Sequence, residues 1–288
     1  MANTQQGQNS VPVRFVDSST RTVAAAGVEF VYRELGRQHG GVPLIGLTHL
    51  GANLDSWDPE VVDVLAESRR VILIGYRGVG ASSGSVQDRF EDMATDIISV
   101  IRALGLSRVD VFGLSMGGMV AQEILRQAPE LLERVILAGT GPQGGPGLTS
   151  MTKVMIRNIL RGLITFTPAT TLLFFTRTSN GRQSAKAYQA RIKQRHTGRD
   201  KPVAPSVMRA QLRAVNLWGQ EQPQDNTFTG PALILHGDSD RMVPLENVDP
   251  LLARFPHAEV RVFTDSGHGV VPQNRHAVTD IITRFLQR

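Results

Sequence analysis

Residues 109–123 constrain the fold of this chain more than any other stretch. They begin with an apolar, β-branched run that predicts a buried strand, and they continue with a helical pattern that reaches about Gln127. Between the two, residues 113–117 read Gly-Leu-Ser-Met-Gly. A serine on so sharp a turn is strained and needs neighbours without a Cβ atom. A closely packed glycine turn is the simpler alternative, but the strand before and the helix after favour a nucleophilic Ser115.

Strand and helix patterns alternate on both sides of this turn. Besides 109–114, apolar runs predict strands at 14–16, 28–35, 43–48, 71–74, 135–138, 231–236 and 259–263. Amphipathic segments between them predict helices. Because alternating strands and helices build parallel sheets, we expect an α/β fold with a mainly parallel, doubly wound sheet of eight strands.

The alternation stops after Gly139, where residues 141–147 are rich in glycine and proline. About eighty residues follow without a buried strand, and their patterns predict helices at 149–163, 168–176, 181–195 and 205–218. We therefore expect a helical cap at 140–226, inserted into a core formed by 11–139 and 227–288. The polar residues 1–10 are expected to form a flexible tail. Glycines at 139–147 and around 219–226 are candidate hinges.

Composition excludes several classes of function. The chain has no cysteine, so disulfides, thiolate metal sites and cysteine nucleophiles are excluded. Its histidines lack metal-ligand spacing, which argues against a metal enzyme. The N-terminus does not resemble a signal peptide, and the lipophilic stretch 163–175 is too short to span a bilayer. We expect a cytoplasmic protein with no membrane span and leave its oligomeric state open.

Positive charge is concentrated in the predicted cap. Residues 151–215 contain 13 Lys or Arg side chains and one acid, Asp200. Such a segment suggests a nucleic-acid or membrane partner. Its aromatic and methionine residues instead favour a packed core that roofs an apolar pocket. We therefore predict no nucleic-acid partner, and we favour a solvated basic face over attraction of anionic substrates.

A nucleophilic serine needs a base and an acid that orients the base. In parallel sheets such groups collect at the carboxyl ends of the strands. Three histidines lie at or after the ends of predicted strands: His49, His236 and His268. Of these, His268 follows the last strand and stands between two glycines, which permit a close approach to the serine. Asp238 and Asp240 both follow the strand at 231–236, and position alone leaves the choice between them open.

The order serine, acid, histidine resembles that of the α/β-hydrolases. Matching motifs are Thr-His at 48–49, Arg-Gly-x-Gly-x-Ser at 77–82, Gly-Leu-Ser-Met-Gly-Gly at 113–118, Gly-Asp-Ser-Asp at 237–240 and Gly-His at 267–268. The chain resembles the cap-bearing serine hydrolases among them, a group with esterases, enol-lactonases, carbon–carbon hydrolases and cofactor-free haloperoxidases. This resemblance implies a catalytic triad of Ser115, Asp240 and His268, and no cofactor.

The same resemblance implies an oxyanion hole built from backbone N–H groups. One would belong to Met116 and the other to Gly51, in the loop after His49. The chain departs from the usual His-Gly pattern there, because Leu50 follows His49 and glycine comes one place later. That departure puts the second N–H group in doubt.

These features predict an enzyme that hydrolyses a small carboxylic ester or lactone through an acyl-enzyme. The alternatives are a carbon–carbon hydrolase or a haloperoxidase or perhydrolase with the same triad, and a catalytically silent small-molecule receptor. We expect the cap to cover Ser115 as a lid and to line the substrate pocket. Candidate pocket residues are large and apolar: Leu50, Trp57, Met151, Met155, Phe166, Phe174, Phe175 and Trp218.

Overall fold

A computed structural model describes residues 13–224 and 228–288. The predicted tail at 1–10 lies outside the described residues, as do positions 225 and 226 at the end of the predicted cap. The boundaries of tail, core and cap therefore stay predictions.

Within these residues, the strands are β1 (Thr20–Ala25), β2 (Val28–Leu35), β3 (Leu44–Leu47), β4 (Val71–Ile74), β5 (Val109–Leu114), β6 (Leu132–Ala138), β7 (Ala232–Gly237) and β8 (Glu259–Phe263). These eight strands form one sheet in the order β1-β2-β4-β3-β5-β6-β7-β8. The pairs β1–β2 and β2–β4 are antiparallel, and the pairs from β4–β3 to β7–β8 are parallel. The prediction of a mainly parallel, eight-stranded sheet is confirmed.

Helices cover both faces of the sheet, which explains why β3, β4 and β7 are apolar and buried along their whole length. One apolar core packs α2 (Phe90–Ala103) and α3 (Met116–Gln127) against one face. The other packs α1 (Pro59–Ala66) and α10 (Arg275–Leu286) against the opposite face. The short helices α8 (Val248–Arg254) and α9 (Val270–Gln273) follow β7 and β8.

The opening of the sheet differs from the sequence prediction. Residues 14–16 were expected to form a strand, but Phe15–Asp17 is a 3-10 turn. The Phe15 ring is buried beneath the Arg33 guanidinium, whose central carbon lies 5.4 Å from the ring centre. The first strand is instead β1, at the edge of the sheet. Four of its six residues are exposed and half are polar, so it lacks the apolar pattern by which a buried strand is recognised.

The segment between β6 and β7 is helical where it is described. It contains α4 (Met151–Thr165), α5 (Ala169–Phe174), α6 (Ser179–Ile192) and α7 (Pro205–Gln220). The predicted helices agree with these bounds to within about three residues. The predicted helical cap after the strand that follows the nucleophile helix is therefore present. No described helix is both long and apolar enough to cross a bilayer.

Two basic side chains of α6 and the following loop are buried rather than solvated. The Arg191 guanidinium donates two hydrogen bonds to the Asp58 carboxylate, at 2.8 and 2.6 Å. Arg195 donates to the backbone carbonyls of Phe15, Val16 and Ser18. The expectation of a solvated basic face is wrong for Arg191 and Arg195, because these cations join the cap to carboxylate and carbonyl groups of the core.

Candidate active site

Ser115 occupies a strained turn between β5 and α3. Its φ of 53° and ψ of −114° lie outside the regions that L-residues prefer. A Cβ atom at Gly113 would lie 2.5 Å from the Gly117 carbonyl oxygen, and one at Gly117 would lie 2.1 Å from the Leu47 carbonyl oxygen. Both positions therefore require glycine.

The structure brings Ser115, His268 and Asp240 into one chain of hydrogen bonds. His268 Nε2 lies 2.9 Å from Ser115 Oγ, and His268 Nδ1 lies 2.7 Å from Asp240 Oδ2. Asp240 follows β7, and His268 follows β8. All three side chains are buried, with at most 7% of each residue exposed. An imidazole held between a hydroxyl and a carboxylate is arranged to take the hydroxyl proton while the carboxylate fixes its tautomer.

The two candidate aspartates have different partners. Asp240 Oδ1 accepts hydrogen bonds from the backbone N–H groups of Met242 and Val243, at 2.8 and 3.0 Å, which fixes the carboxylate with Oδ2 toward His268. Asp238 accepts from the backbone N–H groups of Asp265 and Ser266, at 3.2 and 3.3 Å. Geometry therefore favours Asp240, and Asp238 supports the loop that leads to His268.

The other strand-end histidines bond to backbone carbonyls. His49 Nδ1 lies 2.9 Å from the Leu50 carbonyl oxygen, and His236 Nε2 lies 2.9 Å from that of Val243. Burial lowers the pKa of the His49 imidazole to about 4, and burial also lowers the pKa of His236. Both rings are therefore neutral near pH 7, and His268 is the histidine within reach of Ser115.

The two N–H groups expected to form an oxyanion hole differ in availability. Met116 is the first residue of α3, and N–H groups in the first turn of a helix have no partner within it. The Gly51 N–H instead donates to Gln211 Oε1 at 2.7 Å. Gln211 comes from cap helix α7 and is fully buried. The expected second donor is thus already engaged, by a residue that the sequence analysis did not consider.

A small cavity of about 30 Å³ opens at Ser115 and His268. Of the predicted pocket residues, Trp57 and Phe174 line it. Other lining residues come from the ends of β5 and β6, from the loop before α1, from α1 itself, and from α6 and α9: Ser56, Asp58, Val61, Leu114, Ala138, Tyr188, Val270, Val271 and Pro272. The run Val-Val-Pro directly after His268-Gly269 was the sequence signal that we missed.

The remaining pocket predictions are wrong for this cavity. Phe166 ends α4 with a φ of 50° and is 96% exposed, because the chain turns there toward Pro168. The Trp218 indole donates to the Gly141 carbonyl oxygen and packs on Phe90. Four others are buried but do not line the cavity: Leu50, Met151, Met155 and Phe175. Apolar character predicted their burial but not whether they face this cavity.

Phe174 connects the predicted cap to His49 and His268. Its ring centre lies 4.8 Å from that of His49 and 5.4 Å from that of His268, with edge-to-face geometry in both pairs. Its carbonyl accepts the Gly269 N–H at 2.7 Å. The end of α5 therefore packs directly on the loop that carries His268.

In the ranges 13–224 and 228–288, no three His, Asp or Glu side chains are grouped as metal ligands would be. The predicted absence of metal and cofactor stays a prediction.

Comparison with known proteins agrees with this architecture. A family model described as the alpha/beta hydrolase fold matches residues 42–274. The structure of an alpha/beta hydrolase fold protein from Chitinophaga pinensis superposes with a TM-score of 0.89 at 28% identity, covering 95% of this chain and 98% of the other. A poly(3-hydroxyalkanoate) depolymerase of Ectopseudomonas oleovorans is 26% identical, over 85% of this chain and 84% of its own length. A 2-hydroxymuconate semialdehyde hydrolase of Pseudomonas putida is 24% identical, over 77% and 78%. The chain thus belongs to the α/β-hydrolase family, and it is a hydrolase.

Proposed function

We propose that this hydrolase cleaves a small carboxylic ester or lactone through an acyl-enzyme. The observation that carries the proposal is the hydrogen-bonded series from Ser115 Oγ through His268 to Asp240, at the wall of a cavity. His268 takes the Ser115 proton as the hydroxyl attacks the carbonyl carbon, and then protonates the leaving alcohol. Water then attacks the acyl-enzyme. His268 takes a proton from this water and returns a proton to Ser115 Oγ as the carboxylic acid leaves.

The Met116 N–H is the first donor we propose for the tetrahedral oxyanion. The second is the Gly51 N–H, which must first release Gln211 Oε1. An oxyanion can compete for that N–H because hydrogen bonds to charged acceptors are roughly twice as strong as those to neutral amides. We propose that Gln211 occupies the donor while the site is empty.

The walls of the cavity favour an apolar substrate group of modest size. Trp57, Val61, Val270 and Phe174 contribute apolar surface beside Ser115. Each methylene buried there contributes about 0.8 kcal/mol, which is a few-fold in kcat/KM, until the space is full. We propose that p-nitrophenyl esters with short acyl chains are substrates.

The test compares four variants on p-nitrophenyl acetate and butyrate. Ser115→Ala and His268→Ala are expected to lower kcat by on the order of 10⁴-fold, and Asp240→Asn to do so by a comparable factor through loss of the correct tautomer. Asp238→Asn is the matched control, with a much smaller expected loss. Near wild-type turnover by Ser115→Ala would exclude the proposed nucleophile. A large loss only in Asp238→Asn would show that Asp238, and not Asp240, is the acid that orients His268.

Two further measurements separate the alternatives. A fluorophosphonate labels Ser115 only where the hydroxyl is activated, so absence of labelling in the wild type would favour a silent receptor. A substrate panel of esters, lactones and β-diketones distinguishes ester cleavage from carbon–carbon cleavage. Turnover of the diketones alone would contradict the ester proposal while leaving the triad in place.

A further inference from the structure

The outward face of α4 carries a continuous stripe of large apolar side chains. Of the nine large hydrophobic residues that are exposed in the described chain, six lie on this helix or at its C-terminal cap, with 42–96% of each exposed. Their spacing of three and four places keeps the helical ones on one side. They are Ile156, Ile159, Leu160, Leu163, Ile164 and Phe166. A patch of this kind on a soluble fold marks an interaction surface.

Cations flank this stripe. Lys153, Arg157 and Arg161 follow one another at intervals of four along α4. Arg157 and Arg161 also join Arg177 and Arg241 around a recess of about 310 Å³. Within the described ranges, the ion pairs closer than 4.0 Å include none of these four arginines. The recess therefore concentrates positive charge that the fold itself does not neutralise.

The apolar stripe and the arginine recess are parts of one surface. Arg157 and Arg161 line the arginine recess, and they also line the shallow groove formed by Ile156, Leu160 and Ile164. We call this combined surface the α4 face. A ligand on the α4 face meets apolar side chains and unpaired guanidinium groups at the same time.

We propose that the α4 face binds the surface of an anionic phospholipid membrane. In this arrangement α4 lies in the plane of the interface, its apolar stripe enters the boundary between head groups and acyl chains, and the arginines bind lipid phosphates. An amphipathic helix with a basic flank binds membranes in this way. The inference does not depend on the proposed chemistry at Ser115.

Other occupants would use only half of the α4 face. A nucleic acid would neutralise the arginines but leave the apolar stripe in water. A second copy of this chain would cover the stripe, but residues 151–199 contain no Asp or Glu, so a symmetric contact would leave the cations without partners. An anionic lipid surface covers the stripe and neutralises the cations.

The test is sedimentation of the full chain with vesicles of phosphatidylcholine alone or mixed with phosphatidylglycerol. Binding is expected only to the anionic vesicles, and it is expected to weaken from about 0.1 M to about 1 M salt as the Debye length falls from about 10 to about 3 Å. Arg157→Gln/Arg161→Gln is expected to weaken partitioning about 30-fold, at about fivefold per cation. Leu163→Ser/Ile164→Ser should weaken binding at both salt concentrations.

Arg102→Gln/Arg108→Gln is the matched control, because it removes the same charge from an exposed part of the core. Its vesicle binding should stay within about twofold of the wild type. Circular dichroism of each variant verifies folding. The wild-type lipid and salt series remains decisive even if one variant does not fold.

Four results would overturn the proposal. Two of them are equal binding to both vesicle types and an equal loss of binding in the control variant. The third is binding of inorganic phosphate at the arginines without any vesicle binding, which would mean a site for a free anion. The fourth is dimerisation that Leu163→Ser/Ile164→Ser abolishes, again without vesicle binding.

Discussion

The two halves of the cap contain arginines in opposite environments. In the second half, α6, α7 and the loop between them, Arg191 and Arg195 are buried against Asp58 and backbone carbonyls. In that loop Asp200, the acid of the basic segment, accepts the N–H groups of Leu54 and Ala81. In the first half, α4 and α5, the arginines are exposed and without carboxylate partners among the described residues. Net charge therefore does not reveal which cations hold a structure together and which are available to a ligand.

The largest effect expected from this contrast is on stability. Arg191→Met leaves the Asp58 carboxylate buried without its cation, so the free energy of unfolding should fall by about 3–5 kcal/mol. Urea denaturation, followed by far-UV circular dichroism, measures it. Asp58→Asn combined with Arg191→Met should recover part of the loss, because it removes the buried charge. A loss below about 1 kcal/mol would show that Asp58 reaches water when its partner is gone.

An intermediate effect is expected at His49, where the first half of the cap meets the core through Phe174. The pKa of His49 in the folded chain is about 4, below its ordinary value of 6.5. The neutral ring is therefore the form that folding favours. Its contribution is complete above about pH 6.5 and is lost as the pH falls toward 4, by at most about 3 kcal/mol.

His49→Gln removes this titration. The free energy of unfolding of the variant should fall less steeply than that of the wild type between about pH 7 and about pH 4. Equal slopes would mean that the His49 ring binds a proton in the folded state as readily as in the unfolded chain.

The smallest effect is expected from Arg157→Met, the counterpart of Arg191→Met in the first half of the cap. Because Arg157 is exposed and has no ion pair within the described residues, its replacement should change the free energy of unfolding by less than about 0.5 kcal/mol. The same urea titration measures both variants. If the free energy of unfolding of Arg157→Met fell by several kcal/mol, Arg157 would stabilise the fold as Arg191 does, and the two halves of the cap would not differ.

The sequence was sufficient for features that depend on local pattern. The glycines around Ser115 and the strand-end position of His268 predict a nucleophile and its base, and the geometry agrees with that expectation. Position left Asp238 and Asp240 open, and the preference for Asp240 came from the resemblance to the α/β-hydrolases, with which the geometry also agrees. Contacts between distant segments could not be predicted in this way. Gln211 reaches the Gly51 N–H across 160 residues, and no motif announces it.

The cap shows a second reason why some predictions from the sequence were wrong. Helix α4 has apolar residues on two sides, with Met151 and Met155 buried and Leu163 and Ile164 exposed. Apolar periodicity predicts the helix but does not indicate which side meets the protein. The prediction that Met151 and Met155 line the pocket failed for this reason, because both are buried without lining the cavity.

The hydrogen bond between Ser115 and His268 joins residues that are 153 positions apart. Between them the chain must complete the cap, return to pair β7 beside β6, and then add β8. Contacts of such long range form late, because the entropy of closing a long loop must be overcome first. During synthesis Ser115 also leaves the ribosome long before His268, because it comes earlier in the chain. On the mechanism proposed above, a nascent chain with a complete nucleophile turn still lacks its base and is chemically inert, and refolding should restore secondary structure sooner than it restores a reactive serine.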